Sequence, residues 1–197
     1  MTSTSWLGVG TTVLGLALAL ATGGCGAPPA AIPTASSAAP VVEARDIGKV
    51  EPTNCSTVGL IALAGTGCRE VRSKNASGGA QQVQAATVND GDACTIWNAG
   101  GVPPQSITVD LEKDVGVSGM LLVPDMTPPE GDVTHTLETS SDGDTWTAIA
   151  VVKRRMTDDH VYAVTFPKKV TTRFLRVSTT ASVSWVAWAE VAPLLCN

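Results

Sequence analysis

Apolar and polar residues alternate along most of the second half of this chain of 197 residues. In residues 106–111, for example, Ile107, Val109 and Leu111 are separated by single polar residues. A period of two places these apolar side chains on one face of a β-strand, turned toward a core. Similar patterns, or short apolar runs, predict further strands at residues 115–123, 133–139, 146–152, 160–166, 172–179 and 184–192.

Turn residues separate the predicted strands, and helical periodicity is nearly absent. Ser141-Asp142-Gly143-Asp144 is typical of a hairpin turn, because Asp and Gly tolerate the positive φ that such turns need. About eight short strands joined by turns predict an all-β fold, a jelly-roll β-sandwich. The apolar stretch VGLIALAG, residues 58–65, fits a short strand or one helical turn, and we expect it to pack along the flank of the sandwich.

The first 45 residues differ in composition from the rest. Residues 1–24 contain an uncharged apolar core at 6–22, which is too short for a comfortable membrane span and is typical of an export signal. The segment LALATGGC resembles a bacterial lipobox and predicts a lipid-anchored protein at the cell surface, acylated on Cys25; simple secretion is the alternative. Residues 25–45 are rich in Ala, Pro and Ser and predict an extended tether before a domain at 46–197.

Export predicts that the remaining cysteines form disulfides, since their number is even. These cysteines are Cys55, Cys68, Cys94 and Cys196. Spacing alone does not select among the alternative connectivities. We favour Cys55–Cys196, which would staple the two ends of the domain, together with Cys68–Cys94. A zinc site is disfavoured because the chain has no Cys-x-x-Cys pair and both histidines are distant from the cysteines in sequence.

Charge and motifs narrow the class of function. The net charge is −5, and the basic clusters, at residues 153–155 and 168–169, are typical of solvated turns, so we expect no nucleic-acid partner. The chain lacks Gly-x-Ser-x-Gly, His-Glu-x-x-His and a P-loop. We therefore predict no catalytic residues and no enzyme, with a small hydrolase as a remote alternative.

An acidic turn is the most distinctive local feature. Asp90 and Asp92 flank Gly91, so that two carboxylates and nearby carbonyls can converge on one point. Such hard oxygen ligands suit Ca²⁺. The alternative is a turn whose carboxylates only cap backbone amides, and a bridged Cys94 would take over the clamping role of an ion.

Four blocks of sequence carry a resemblance to a known family. They are ATVNDGDACTIWNAGG, PQSITVDLEKDVGVSGMLLVP, HTLETSSDGDTW, and FPKKVTTRFLRV with SWVAWAEV. In this order they resemble the discoidin, or coagulation-factor 5/8 type C, domains and the related family 32 carbohydrate-binding modules, over residues 70–193. The resemblance implies a galactose-binding-like jelly roll with binding loops at one end. It also implies a buried Trp97 and a structural Ca²⁺ held by Asp90, Asp92, Thr95 and Glu190, which requires that the turn and the last strand meet.

The resemblance further implies a non-catalytic module that binds carbohydrate. The candidate loops are residues 77–82, 98–104, 126–132, 156–160 and 180–185, and the candidate ligand-binding residues are Asn98, Met126, His160 and Trp185. Trp185 is the best of these, because an exposed indole offers a face on which a sugar can stack. Adhesion to a surface protein or to phospholipid is the alternative, although the few Lys and Arg in the loops disfavour lipid headgroups.

Overall fold

The computed structural model describes residues 38–64, 67–79 and 82–197. The predicted export signal, the lipidation site Cys25 and most of the predicted tether lie outside these residues. Within the described ranges, no helix is long and apolar enough to cross a membrane.

Ten strands, one α-helix and one 3-10 helix make up the secondary structure of the described ranges. The strands are β1 (Val41–Val42), β2 (Ala44–Lys49), β3 (Cys68–Glu70), β4 (Asn75–Gly78), β5 (Trp97–Asn98), β6 (Gln105–Pro124), β7 (Glu130–Ser140), β8 (Thr147–Thr157), β9 (His160–Ala181) and β10 (Ala187–Cys196). The helices are α1 (Thr57–Ala64) and a 3-10 helix (Gln82–Asn89).

The long antiparallel pair of β6 and β9 organises the sheet. Pairing begins at Gln105 with Thr179 and ends at Leu122 with Tyr162, and it is interrupted between Asp110 and Val115. Before the interruption, the pair is flanked by β4 on one side and by β7, β8 and β1 on the other. After it, the pair is flanked by β2 on one side and by β10, with β3, on the other. The two strands therefore belong to both halves of one curled sheet.

The two halves enclose a common core. Ile107, Val109 and Leu111 are buried, as their alternation predicts, and they pack in one cluster with Met120 of the second half and Trp188 of β10. The same cluster contains Trp97, Leu137 and Leu175. This arrangement is the predicted jelly-roll β-sandwich, in which the inner faces of two sheet halves supply the core.

A second apolar cluster covers the outer face of the second half. Leu121 and Val123 of β6 and Ala192 and Leu194 of β10 pack there with Ile61 of α1. Because these strands are buried on both faces, their sequences read as continuous apolar runs rather than as alternating patterns. The stretch predicted as a strand or one helical turn is thus the helix α1, and it packs along the flank as expected.

The folded domain begins earlier than the predicted boundary at residue 46. β1 adds to the edge of β8 in parallel, and β2 pairs with β9 from Ala44 onward. Ala44 is 2% exposed. The composition of this segment hides its role, because Ala and Val are frequent both in extended tethers and in strands. The strands of the domain therefore begin at β1, within the range predicted as tether.

All four cysteines are bridged, but the favoured connectivity is wrong. The disulfides are Cys55–Cys94 and Cys68–Cys196. The register of β3 against β10 places Cys68 directly opposite Cys196. Cys55 lies beside the acidic turn, where the backbone carbonyl of Cys55 accepts a hydrogen bond from the Ala93 amide at 2.8 Å. The strand register that decides this pairing is not visible in cysteine spacing.

The arginines of β9 are structural. Arg173 donates to both carboxylate oxygens of Asp110 at 2.8 Å, and its guanidinium lowers the pKa of Asp110. Arg176 donates to both oxygens of Glu138 at 2.8 Å and stacks on Trp146, 4.0 Å from the ring centroid. These pairs bridge neighbouring strands on the outer face of the first half.

Peptide mapping without reductant tests the connectivity. We expect one linked peptide pair containing Cys55 and Cys94 and another containing Cys68 and Cys196. Removing the second pair by a double Cys→Ser change should lower the free energy of unfolding by about 2–5 kcal/mol, because the bridge closes a loop across most of the domain. A Cys55–Cys196 peptide would contradict the strand register described here.

Candidate functional site

Four loops meet at one end of the sandwich, which we call the loop end: residues 99–104, 125–129, 158–159 and 182–186. The Ala99 amide donates to the carbonyl of Val186 at 2.8 Å, and the Thr127 amide donates to Oγ of Ser184 at 3.0 Å. The Met126 amide donates to Oδ1 of Asp158 at 2.6 Å. These bonds make the loops one connected surface.

The course of β6 explains why these loops meet. Its two ends pair with the two ends of β9, and the interruption after Asp110 lets each strand turn from one half of the sheet into the other. The start and the end of β6 thus return to the same end of the sandwich. Glu112, at φ 67, lies at this turn, and the Glu112 amide donates to Oδ1 of Asp110.

An apolar patch forms the surface of the loop end. Trp185 is 42% exposed, Val183 is 54% exposed and Val102 is 67% exposed. The Val186 amide donates to the carbonyl of Gly101 at 3.0 Å, which brings the loop of Val102 to that of Trp185. Exposure of Trp185 agrees with the prediction from sequence. A half-exposed indole between two exposed valines offers a flat apolar face for a ligand.

A narrow cleft lies beneath this patch. Its cavity is about 10 Å³ and is lined by Asp125, His135, Ser182, Trp185 and Trp188, among others. Nδ1 of His135 lies 3.0 Å from Oγ1 of Thr179, and the imidazole packs against Trp188 with ring centroids 4.9 Å apart. Burial lowers the pKa of His135 to about 3, so the ring is neutral at physiological pH.

The other predicted ligand residues make contacts within the protein. Asn98 is half-buried, and its Oδ1 accepts a hydrogen bond from the Gly100 amide at 2.8 Å, which shapes the adjacent loop. His160 pairs with Asp46 through a 2.8 Å contact between Nδ1 and Oδ2. Met126 is only 4% exposed and packs in the core, where it lines the cleft beneath Trp185. Its loop turns inward because Asp158 and Ser184 bind the loop backbone.

Three carboxylates lie close together at the loop end, and their proximity was not predicted from the sequence. Asp125 follows β6, whereas Asp158 and Asp159 follow β8, and the two loops lie together. Burial raises the pKa of Asp125, and the charges of Asp158 and Asp159 raise it further. Each residue looks like an ordinary turn residue in the sequence, so only the fold reveals their proximity.

The acidic turn lies beside β10. The Asp92 amide donates to Oδ1 of Asp90 at 2.8 Å, and Oδ2 of Asp90 lies 3.3 Å from Oγ1 of Thr95. The hydroxyl of Thr95 is also 2.9 Å from the carbonyl oxygen of Asp92. Asp92 has an exposed side chain, and its Oδ1 accepts from the Cys94 amide at 3.0 Å. Asp92 therefore turns its carbonyl toward Thr95 and its amide toward Asp90, while its carboxylate binds the Cys94 amide.

Glu190 reaches this turn from β10. Its Oε2 accepts a hydrogen bond from the Gly91 amide at 3.2 Å. The turn and the last strand therefore meet, as the family resemblance implies. Glu190 is fully buried, and its Oε1 has no hydrogen-bond partner among the described residues. Burial, and then the charges of Glu70 and Asp90, raise the pKa of Glu190 to about 9. An uncompensated carboxyl is costly in such a place.

The segment before β3 clamps the same turn. The disulfide Cys55–Cys94 joins the two, and the Thr57 amide donates to the carbonyl of Gly91 at 3.2 Å. Although the sulfurs of Cys55 and Cys94 lie close to Asp92, they are bonded to each other and are not thiolate ligands.

The oxygen donors of the turn fit the calcium ion that the resemblance implies. The carboxylate of Asp90, the carbonyl of Asp92 and the hydroxyl of Thr95 lie together, and the buried Oε1 of Glu190 lacks a hydrogen-bond partner within the described ranges. Ca²⁺ is coordinated by oxygen atoms of these types. A cation would also offset the carboxylate charges that raise the pKa of Glu190.

Solved structures of carbohydrate-binding modules share this fold. The family 32 module of Clostridium perfringens NanJ, in complex with galactose, has a TM-score of 0.56 and 20% identity, with 65% of this chain and 99% of that chain covered. A family 32 module produced by Clostridium perfringens, in complex with GlcNAc-α-1,4-galactose, has a TM-score of 0.52 and 19% identity, with 68% and 98% covered. The family 32 module of AlyQ, in complex with 4,5-unsaturated mannuronic acid, has a TM-score of 0.53 and 19% identity, with 64% and 97% covered.

A search of the curated proteins finds no match. The model of the F5/8 type C domain matches residues 70–192, from the end of β3 into β10. Since this match spans more than half of the chain, the protein belongs to the F5/8 type C domain family.

Proposed function

We propose that the protein is a non-catalytic module that binds carbohydrate at the loop end. The observation that carries this proposal is the exposed indole of Trp185 on a surface built from four loops. Its face suits the C–H face of a sugar ring, and Ser182, which lines the cleft with Trp185, offers a hydroxyl that could bind a sugar hydroxyl. Solved modules of the same fold hold galactose and other sugars, which supports a sugar as the ligand.

The shape of the loop end favours modest affinity for each site. The surface is open, and the cavity beneath Trp185 is only about 10 Å³. A ligand would therefore rest on the patch rather than enter a deep pocket. Display of many copies on a cell surface would compensate through multivalent binding.

A surface protein is the second candidate partner, because Val102 and Val183 extend the apolar patch beyond one sugar ring. Apolar patches rimmed by polar groups mark many protein interfaces. The two candidates differ in their response to free sugar, which would compete only with a glycan.

Trp185→Ala tests the glycan proposal. We expect about a tenfold or greater loss of affinity for any glycan that the native protein binds on an array, because the stacking face is removed. Val58→Ala is the matched control, since Val58 is 64% exposed on α1, away from the loop end, and this change should leave affinity unaltered. Equal glycan binding by native protein and Trp185→Ala would refute the proposal.

We further propose that Ca²⁺ binds at the acidic turn, through oxygens of Asp90, Asp92, Thr95 and Glu190. The ion would supply positive charge between the turn and β10. Asp90 and Thr95 orient the donors, and the Gly91 amide holds Glu190 in place. The disulfide Cys55–Cys94 keeps the turn closed whether or not the ion is bound.

The pH dependence of stability tests the ion. In the absence of a cation, the pKa of Glu190 is about 9 in the folded protein and 4.5 in the reference state. The folded state then holds more protons between these pH values, so the free energy of unfolding falls as pH rises, by up to about 1.4 kcal/mol per unit. With chelator we expect this decline. Calcium should reverse it because Ca²⁺ binds the ionised carboxylate.

Glu190→Gln is the control for the ion, because a neutral amide of equal size has no proton to lose. This variant should show neither the decline with pH nor the gain with calcium. Identical unfolding midpoints of the native protein with calcium and with chelator at pH 8 would remove the calcium proposal.

We also propose that Cys25 carries a lipid anchor and that the loop end faces away from the membrane. The described chain starts at Ala38, beside Thr147 and Lys168. Thr147 begins β8 and pairs with Thr139 near the end of β7, whereas the opposite ends of these strands lie at the loop end. A tether that enters at this far end would hold the loops outward.

Cys25→Ser tests the anchor. The variant should leave the membrane fraction and be recovered in soluble form, because acylation requires the thiol. Trp185→Ala, which keeps Cys25, should stay with the membrane. Retention of Cys25→Ser in the membrane fraction would mean that another feature holds the protein there.

A further inference from the structure

The cleft beneath Trp185 has an acidic mouth. Asp125 lines this cleft, and its carboxylate accepts no hydrogen bond in the part of the chain that the structure describes. Asp158 and Asp159 lie near enough for their charges to raise the pKa of Asp125. A positive group at this mouth would relieve the repulsion among the three carboxylates.

Nearby basic groups are directed elsewhere. Lys49 and His160 act on Asp159, where they oppose the rise in its pKa. His160 is also paired with Asp46. Neither Lys nor Arg is found among the described residues that line the cleft. The carboxylate of Asp125 thus lacks a countercharge among the described residues.

The floor of the cleft adds an independent sign of a ligand. Nε2 of the buried His135 and Nε1 of the buried Trp188 both lack hydrogen-bond partners among the described residues. With Nδ1 of His135 protonated toward Thr179, Nε2 is an acceptor, whereas the indole N–H is a donor. A hydroxyl group both donates and accepts, and a cavity of about 10 Å³ has room for one such group.

An amino sugar carries both groups that the cleft would accept: a hydroxyl for its floor and a positive charge for its mouth. We propose that the loop end selects glycans with unacetylated amino sugars, whose ammonium pairs with Asp125 while the ring stacks on Trp185 and a ring hydroxyl reaches His135. This inference rests on the proposed glycan-binding function. Acetylation removes the ammonium charge, and a uronic acid would add a negative charge beside Asp125, Asp158 and Asp159.

Binding of defined oligosaccharides to the full chain, purified in detergent, tests the selectivity. Titration calorimetry would compare hexamers of glucosamine, N-acetylglucosamine and glucuronic acid. We expect the glucosamine hexamer to bind about tenfold more tightly than the N-acetylated hexamer, and the acidic hexamer to bind most weakly. The preference should shrink as salt rises, since the pair is partly exposed to solvent.

Two carboxylate variants locate the selectivity. Asp125→Asn keeps the shape of the side chain and should make the glucosamine and N-acetylglucosamine hexamers bind equally. Asp144→Asn removes an exposed carboxylate from the turn between β7 and β8, at the end opposite the loops, and should leave the preference unchanged. Equal loss of preference in both variants would show that general surface charge is responsible and would overturn the assignment to Asp125.

The outcomes separate this inference from the proposed function. If the N-acetylated or acidic hexamer binds at least as tightly as the glucosamine hexamer, and Trp185→Ala abolishes binding, the module binds glycans and the selectivity is wrong. If no hexamer and no array glycan binds, the glycan function itself fails. If hexalysine binds as tightly as the glucosamine hexamer and Trp185→Ala has no effect, the site recognises charge alone and the amino-sugar assignment is wrong.

Discussion

The antiparallel pairing of β6 with β9 is the constraint on which the rest of the structure depends. These strands, of 20 and 22 residues, pair on both sides of the interruption that follows Asp110. Because both strands belong to both halves of the sheet, their ends return to one pole, where four loops become a single surface. Arg173 ties β9 to Asp110 at the point where the pairing is interrupted. The position of Trp185 is therefore a consequence of strand pairing rather than of its own loop.

The burial of Glu190 beside other carboxylates is the second constraint on the structure. Glu190 is placed in the core next to Asp90 and Glu70, where an ionised carboxyl without a cation is unfavourable. A segment that lies before the residues matched by the family model packs near Glu190. It runs from Cys55 through α1 to Cys68 and is fixed by two disulfides. This segment covers the outer face of the second half and restrains the acidic turn. The turn is thus stabilised covalently as well as through the donors that suit calcium.

The sequence predicted those parts of the structure that depend on local patterns. The alternation of Ile107, Val109 and Leu111 located a strand and its buried face. The family resemblance implied that Trp97 is buried, and Trp185 was expected to be exposed; both are observed. Features that depend on strand register could not be predicted from the sequence. Cys68 faces Cys196 because β3 aligns with β10, and Met126 turns inward because two other loops bind the backbone of Met126 and Thr127. Asp125 lies near two aspartates that are more than thirty positions away in the chain, and no rule of sequence spacing predicts that proximity.

The central claim is that a glycan binds where the four loops meet. Amide chemical shifts in an NMR titration with a bound oligosaccharide measure this directly. The account predicts that the shifted residues cluster at 98–104, 125–129 and 182–186, with smaller changes at 158–160. Shifts concentrated instead on the outer face of the first half, around Trp146 and Arg176, with the loops unchanged, would contradict it.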